Sequence, residues 1–94
     1  MEIIEYSVEE LIDPTGILTG RRFEFMLYIL FDEEDELYEE QGTGLRVLYA
    51  VDGDQEKIAS YHFFERATDK ILDFELEDEE EAFIAHFCKE HIEK

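Results

Sequence analysis

The chain has 94 residues, 27 of them acidic and 8 basic, for a net charge of −19. That length fits a single domain spanning 1–94 with a modest core, and the charge excludes direct binding to nucleic acid or to an anionic membrane, whose phosphates would meet a repelling surface. Its 8 Phe and 5 Tyr exclude a disordered acidic tail, and its 1 cysteine, Cys88, excludes an internal disulfide.

The opening MEIIEYSVEE has neither the basic nor the apolar region of a signal peptide. No apolar run reaches the ~18 residues of a membrane span. Both features, with the single thiol, point to a reducing cytoplasm. Ile4, Tyr6 and Val8 alternate with acids and Ser7, the period of a strand over 2–8. Ser7-Val8-Glu9-Glu10 also fits a capping box, which leaves 9–12 open between strand and helical turn. Asp13-Pro14-Thr15-Gly16 specifies a turn.

Residues 22–31, RFEFMLYILF, are the strongest strand signal. Phe23, Phe25, Leu27, Ile29 and Phe31 share one face, while Met26, Tyr28 and Leu30 make the other greasy. A strand apolar on both faces is central or covered twice. Gly42-Thr43-Gly44 reads as a breaker ahead of a strand over 45–51, where Leu45, Val47, Tyr49 and Val51 face one way. Asp52-Gly53-Asp54 signals a hairpin turn into a strand over 57–66. Residues 70–76 alternate Leu72, Phe74 and Leu76, which predicts another strand. The spacing predicts a helix over 79–92, with Asp78 as N-cap and Glu81 in capping-box position. Its apolar stripe is Phe83, Ile84, Phe87, Cys88 and His91. These elements make an α+β fold: an antiparallel meander of about five strands, with a C-terminal helix packed on one face. The uncovered face, or an edge strand, is a place where a homodimer could form.

No catalytic constellation emerges. Cys88 and His91, at i and i+3, lie on the stripe expected to be buried, where a thiol is poorly ionised. A structural zinc needs four ligands, and His86 lies off that stripe. Asp52-Gly53-Asp54-Gln55-Glu56 fails as a calcium loop, because Lys57 and Phe63 stand where the glycine and glutamate belong. Thr15-Gly16-Ile17-Leu18-Thr19-Gly20 lacks the lysine of a phosphate loop. The residues therefore imply neither an enzyme, nor a cofactor, nor a metal site.

The charge is concentrated. Residues 32–40, DEEDELYEE, hold 7 acids and 75–81 hold 6, so two short segments carry −13 of the −19. Leu37 and Tyr38 interrupt the first block and suggest a pinned segment. The candidate surface for a basic partner is Asp32, Glu33, Glu34, Asp35, Glu36, Glu39, Glu40, Glu77, Asp78, Glu79 and Glu80. It serves only if the two segments face the same way; otherwise both are solvated charge runs.

LIDPTGILTGRRFEF, DELY, YHFFE, ILDFELEDEE and FCKEH together resemble a family of small acidic proteins of Bacillus-type bacteria, known as a domain of unknown function. The resemblance covers nearly the whole chain and implies a bacterial, cytoplasmic, stand-alone domain. It carries no catalytic or binding residue with it. The expected role is a small non-enzymatic interaction or regulatory module. The alternatives are an acidic mimic of nucleic acid that binds a basic DNA-binding protein, and weak divalent-cation binding through Asp32, Glu33, Asp35 and Glu36.

Overall fold

In the computed structural model, which describes residues 1–12 and 20–92, the alternating segments pair with their chain neighbours. The elements are β1 (Glu2–Leu11), β2 (Arg21–Leu30), β3 (Thr43–Asp52), β4 (Gln55–Glu65), β5 (Ile71–Leu72) and α1 (Asp78–His91). The sheet runs in the order β1-β2-β3-β4-β5, antiparallel throughout. The α+β meander with its C-terminal helix is therefore the observed fold. The expected turn at Asp13–Gly16, and most of the segment compared with a phosphate loop, lie outside the described residues.

β1 continues as strand to Leu11, so residues 9–11 extend the ladder and the capping-box reading of Ser7 does not hold. A bulge between Ile3 and Glu5 sets Ile3 rather than Ile4 opposite Ile29. Ile4 is left 54% exposed. At the far end Arg21 grips Glu10 through Nε and Nη2, both at 2.9 Å. That bidentate bond holds the Glu10 carboxyl below its usual range.

Register builds the core. Phe23, Phe25 and Leu27 of β2 lie opposite Tyr49, Val47 and Leu45 of β3, and Leu45 lies opposite Phe63 of β4. A period of two sends all of these to one face, where they are buried. The turn after β3 is Gly53-Asp54. Gly53 takes φ 62°, the backbone that the first residue of a type II′ hairpin requires. The breaker reading of 42–44 fails in part, because Thr43 and Gly44 are already in β3. Gly44 pairs with Phe64, and the Phe64 ring lies where a side chain at 44 would stand.

α1 covers the core face. Ile84 and Cys88 are its fully buried residues. Tyr6 meets Phe87 and His91 edge-on, with ring centroids at 5.2 and 4.9 Å. His91 Nδ1 donates to the Phe87 carbonyl at 2.7 Å, so His91 is a packed ring as well as a helix-end base. Phe83 departs from the expected stripe and is 42% exposed. The cap is one residue earlier than expected: Glu77 is the N-cap, and its N–H donates to Glu80 Oε1 at 3.0 Å. Asp78 and Glu81 are therefore not the capping pair.

The opposite sheet face carries Met26, Tyr28, Arg46, Leu48, His62 and Phe64. No described helix lies over it. Arg46 pairs with Glu24 at 2.6 Å. Arg66 lies 4.2 Å above the Tyr28 ring and reaches Glu5 at 2.8 Å. These contacts leave Met26 and Tyr28 half-buried.

The expected strand over 70–76 is corrected most. Only Ile71 and Leu72 pair with β4. The Phe74 N–H then folds back onto the Leu72 carbonyl at 3.0 Å, which ends the ladder. Leu76 is buried further on, with its N–H donating to the Tyr61 hydroxyl at 2.8 Å. Residues 73–77 thus cross from the sheet edge to the start of α1.

Candidate functional site

DEEDELYEE is a chain of tight turns. The Asp35 N–H bonds the Asp32 carbonyl at 2.9 Å, Tyr38 bonds Asp35 at 3.0 Å, and Gly42 bonds Glu39 at 3.0 Å. The Asp35 carboxylate accepts the Leu37 N–H at 2.9 Å, a local bond to which aspartate is well suited. Leu37 is 7% exposed and enters the core. The buried hydroxyl of Thr43 donates to the Leu37 carbonyl. Apolar burial and hydrogen bonds thus hold the loop in place, with its acids pointing outward.

The crossing segment carries the second acidic run to the same place. Asp35 and Glu36 of the loop, with Glu75, Glu77 and Glu80 of the crossing segment and α1, surround a hollow of about 220 Å³ that also exposes Leu37 and Phe74. Among the described residues, five carboxylates line it and no basic side chain does. Of the candidate residues, Asp35, Glu36, Glu77 and Glu80 converge here. Asp32, Glu33, Glu34, Glu40 and Glu79 are exposed elsewhere, Glu39 is half-buried, and Asp78 borders a separate hollow with Glu56 and Glu81. Glu75 belongs to the second acidic segment but not to the candidate surface, and Phe74 was missed. They read as consecutive residues of a strand, and no local signal marks the turn at Phe74.

A larger groove of about 670 Å³ adjoins the hollow and shares Phe74 and Glu75 with it. It runs between Ile58–His62 of β4 and residues 71–75, with Glu81 at one end.

The other chemical candidates do not assemble. His86 is 74% exposed at its side chain, whereas Cys88 is fully buried. Among the described residues, no group of three or more His, Cys, Asp and Glu could hold a metal ion. Burial pushes the Cys88 thiol up from 9.0 to about 12. Burial, then the neighbouring Glu56 carboxylate, pushes Tyr49 from 10.0 to about 12. Both groups are neutral when protonated, and the fold favours the protonated form. Their stabilising contribution is complete below about pH 9 and is lost as pH rises towards 12. The urea midpoint should therefore stay flat to about pH 9 and then fall, and Cys88→Ala should flatten the first part of that fall. At pH 8 the native thiol should resist Ellman's reagent and react only once urea unfolds the chain. Rapid modification of the folded protein would contradict this.

Among the described residues, no helix is long and apolar enough to cross a membrane. One protein-family model, described only as a family of unknown function, matches residues 1–94. Neither the curated proteins nor the solved structures contain a match.

Proposed function

We propose that this chain, which belongs to the family of unknown function DUF6509, is a non-enzymatic interaction module that docks a basic surface of a partner protein on its acidic hollow. The carrying observation is the convergence of Asp35 and Glu36 with Glu75, Glu77 and Glu80 around Leu37 and Phe74. Acids of one sign held together without a basic neighbour repel one another, and a cationic partner relieves that repulsion. The hydrophobic pair at the centre adds a patch that a partner can dehydrate, and the surrounding charge steers encounter. Such binding weakens with salt.

Two observations favour this reading over its alternatives. Acids lie on both faces of β1: Glu5 and Glu9 stand opposite Tyr28 and Glu24, and Glu10 opposite Phe23. A mimic of nucleic acid wants its charges along one face. For a cation, the Asp35 carboxylate is already engaged by the Leu37 N–H.

The test is affinity capture from an extract of the encoding organism, comparing wild type with Glu36→Lys/Glu77→Lys at increasing salt. Proteins bound by wild type, released by salt and absent from the variant support the proposal. The same proteins on both baits, or none above background, would refute it.

A further inference from the structure

The crossing segment leaves a strand position empty. β5 pairs with β4 only at Phe63 and Phe64, and no described strand lies along the outer side of Gln55–His62. The Glu65 N–H bonds the Lys70 carbonyl on that outer side. Alternation along β4 therefore turns the N–H and C=O of Phe63 and Tyr61 outward too. Phe63 meets Leu72. Had the strand continued to residue 76, Phe74 would have met Tyr61. Instead the chain folds back at Phe74, and the place beside Tyr61 becomes the floor of the 670 Å³ groove.

The two edges of the sheet differ. β1 carries Glu2, Glu5, Glu9 and Glu10 along its length and a bulge near Ile4, devices that keep other strands off an edge. Ile58–His62 reads Ile-Ala-Ser-Tyr-His, with no acid or lysine. A bulge at Ala59, where Ser60 lies opposite Leu48 but Ile58 opposite Tyr49, limits a regular ladder to the stretch around Tyr61. The facing wall supplies Asp73, Glu75 and Glu81, with Ile71 at 64% and Phe74 at 37% exposure.

We infer that this groove receives an extended, lysine- or arginine-bearing segment of the partner, added as a short strand on β4 in line with β5. Its backbone pairs with Tyr61, its basic side chains meet Asp73, Glu75 and Glu81, and its apolar ones cover Ile71 and Phe74. Backbone pairing supplies affinity and the flanking side chains supply selectivity, as in other strand additions. The inference rests on the proposed basic partner and specifies the form in which it binds.

The probe is a capped peptide of about ten residues alternating Lys and Val, long enough for an ordinary strand. A Glu-Val peptide and an alternately N-methylated Lys-Val peptide serve as controls. Titration into the isotope-labelled chain at low salt should shift the amides of Ile58–His62 and slow exchange of the Tyr61 N–H at least about tenfold. N-methylation and Asp73→Lys/Glu75→Lys should each weaken binding about tenfold or more. Shifts confined to Asp35, Glu36, Glu77 and Glu80, with Tyr61 exchange unchanged, overturn strand addition but leave docking on the hollow standing. A Tyr61 N–H already protected in the free chain overturns the open position itself. No binding of the Lys-Val peptide overturns both readings.

Discussion

Ile84→Ala is expected to destabilise the chain by about 3 kcal/mol, the middle of the range of roughly 2–5 kcal/mol for removing a fully buried Ile or Leu side chain. Ile84 is 0% exposed, and only Cys88 shares that burial on α1. The helix begins with four consecutive acids, which suit the dipole but contribute no packing. Its attachment therefore depends on few side chains. Alanine has the better helix propensity by a few tenths of a kcal/mol, which offsets little of the cavity. Against a total of roughly 5–15 kcal/mol for a small domain, the loss should lower the urea midpoint clearly while leaving the slope unchanged. Phe83→Ala, at a residue 42% exposed on the same helix, should cost less than about 1 kcal/mol. Equal effects at the two positions would show that α1 does not sit as described.

Gly44→Ala is expected to cost about 2 kcal/mol, although alanine normally stabilises a strand relative to glycine. A Cβ at 44 would stand 2.1 Å from Phe64 Cζ and within 2.5 Å of two further ring atoms. The ring, 5% exposed and edge-on to Tyr28 at 6.1 Å, must swing into water. Uncovering a phenylalanine costs about 1.5–3 kcal/mol, and the lost ring pair about 0.5–1.5 kcal/mol more. The reduced freedom of the unfolded chain returns about 0.4–1 kcal/mol. In a Phe64→Ala background the obstacle is gone and only that last contribution remains, so the same substitution should become neutral or mildly stabilising. Denaturation of the four chains in a double-mutant cycle measures this change of sign. Additive effects would mean that the ring does not lie over Gly44.

The parts legible in the sequence were those fixed by local period. The alternation in 22–31 has one sheet solution, and the stripe Ile84, Phe87, Cys88 has one helical solution. Three features escaped for different reasons. Leu72, Phe74 and Leu76 alternate like a strand, but alternation does not say whether a neighbour is present to pair with, and the backbone turns at Phe74. In EDEEE, over 77–81, both Glu77–Glu80 and Asp78–Glu81 satisfy capping spacing, so the run of acids erased the register. Gly44 reads as a breaker unless Phe64, 20 positions away, is known to lie over it. Four of the hollow's five carboxylates were within reach in the candidate surface drawn from the two charged blocks. That they meet, through Leu37 on one side and Leu76 on the other, is a long-range outcome of core packing that neither block encodes alone.

The meander order has a consequence during synthesis. Every strand pairs with the one translated just before it, so the sheet can close up as the chain emerges, with little loop-closure cost. Its cover comes later: α1 is complete only at His91, 26 residues after β4 ends at Glu65, a delay of roughly 1–5 s at ordinary elongation rates. During that interval Phe23, Phe25, Leu27, Leu45 and Val47 form an apolar sheet with nothing over it. The loop between β2 and β3 is already out, and it is DEEDELYEE. Seven carboxylates beside an unfinished sheet repel its copies on neighbouring ribosomes, as charged gatekeepers do beside sticky strands. Of these seven, Asp35 and Glu36 also border the acidic hollow of the finished protein, so the loop is expected to work first by keeping unfinished copies apart.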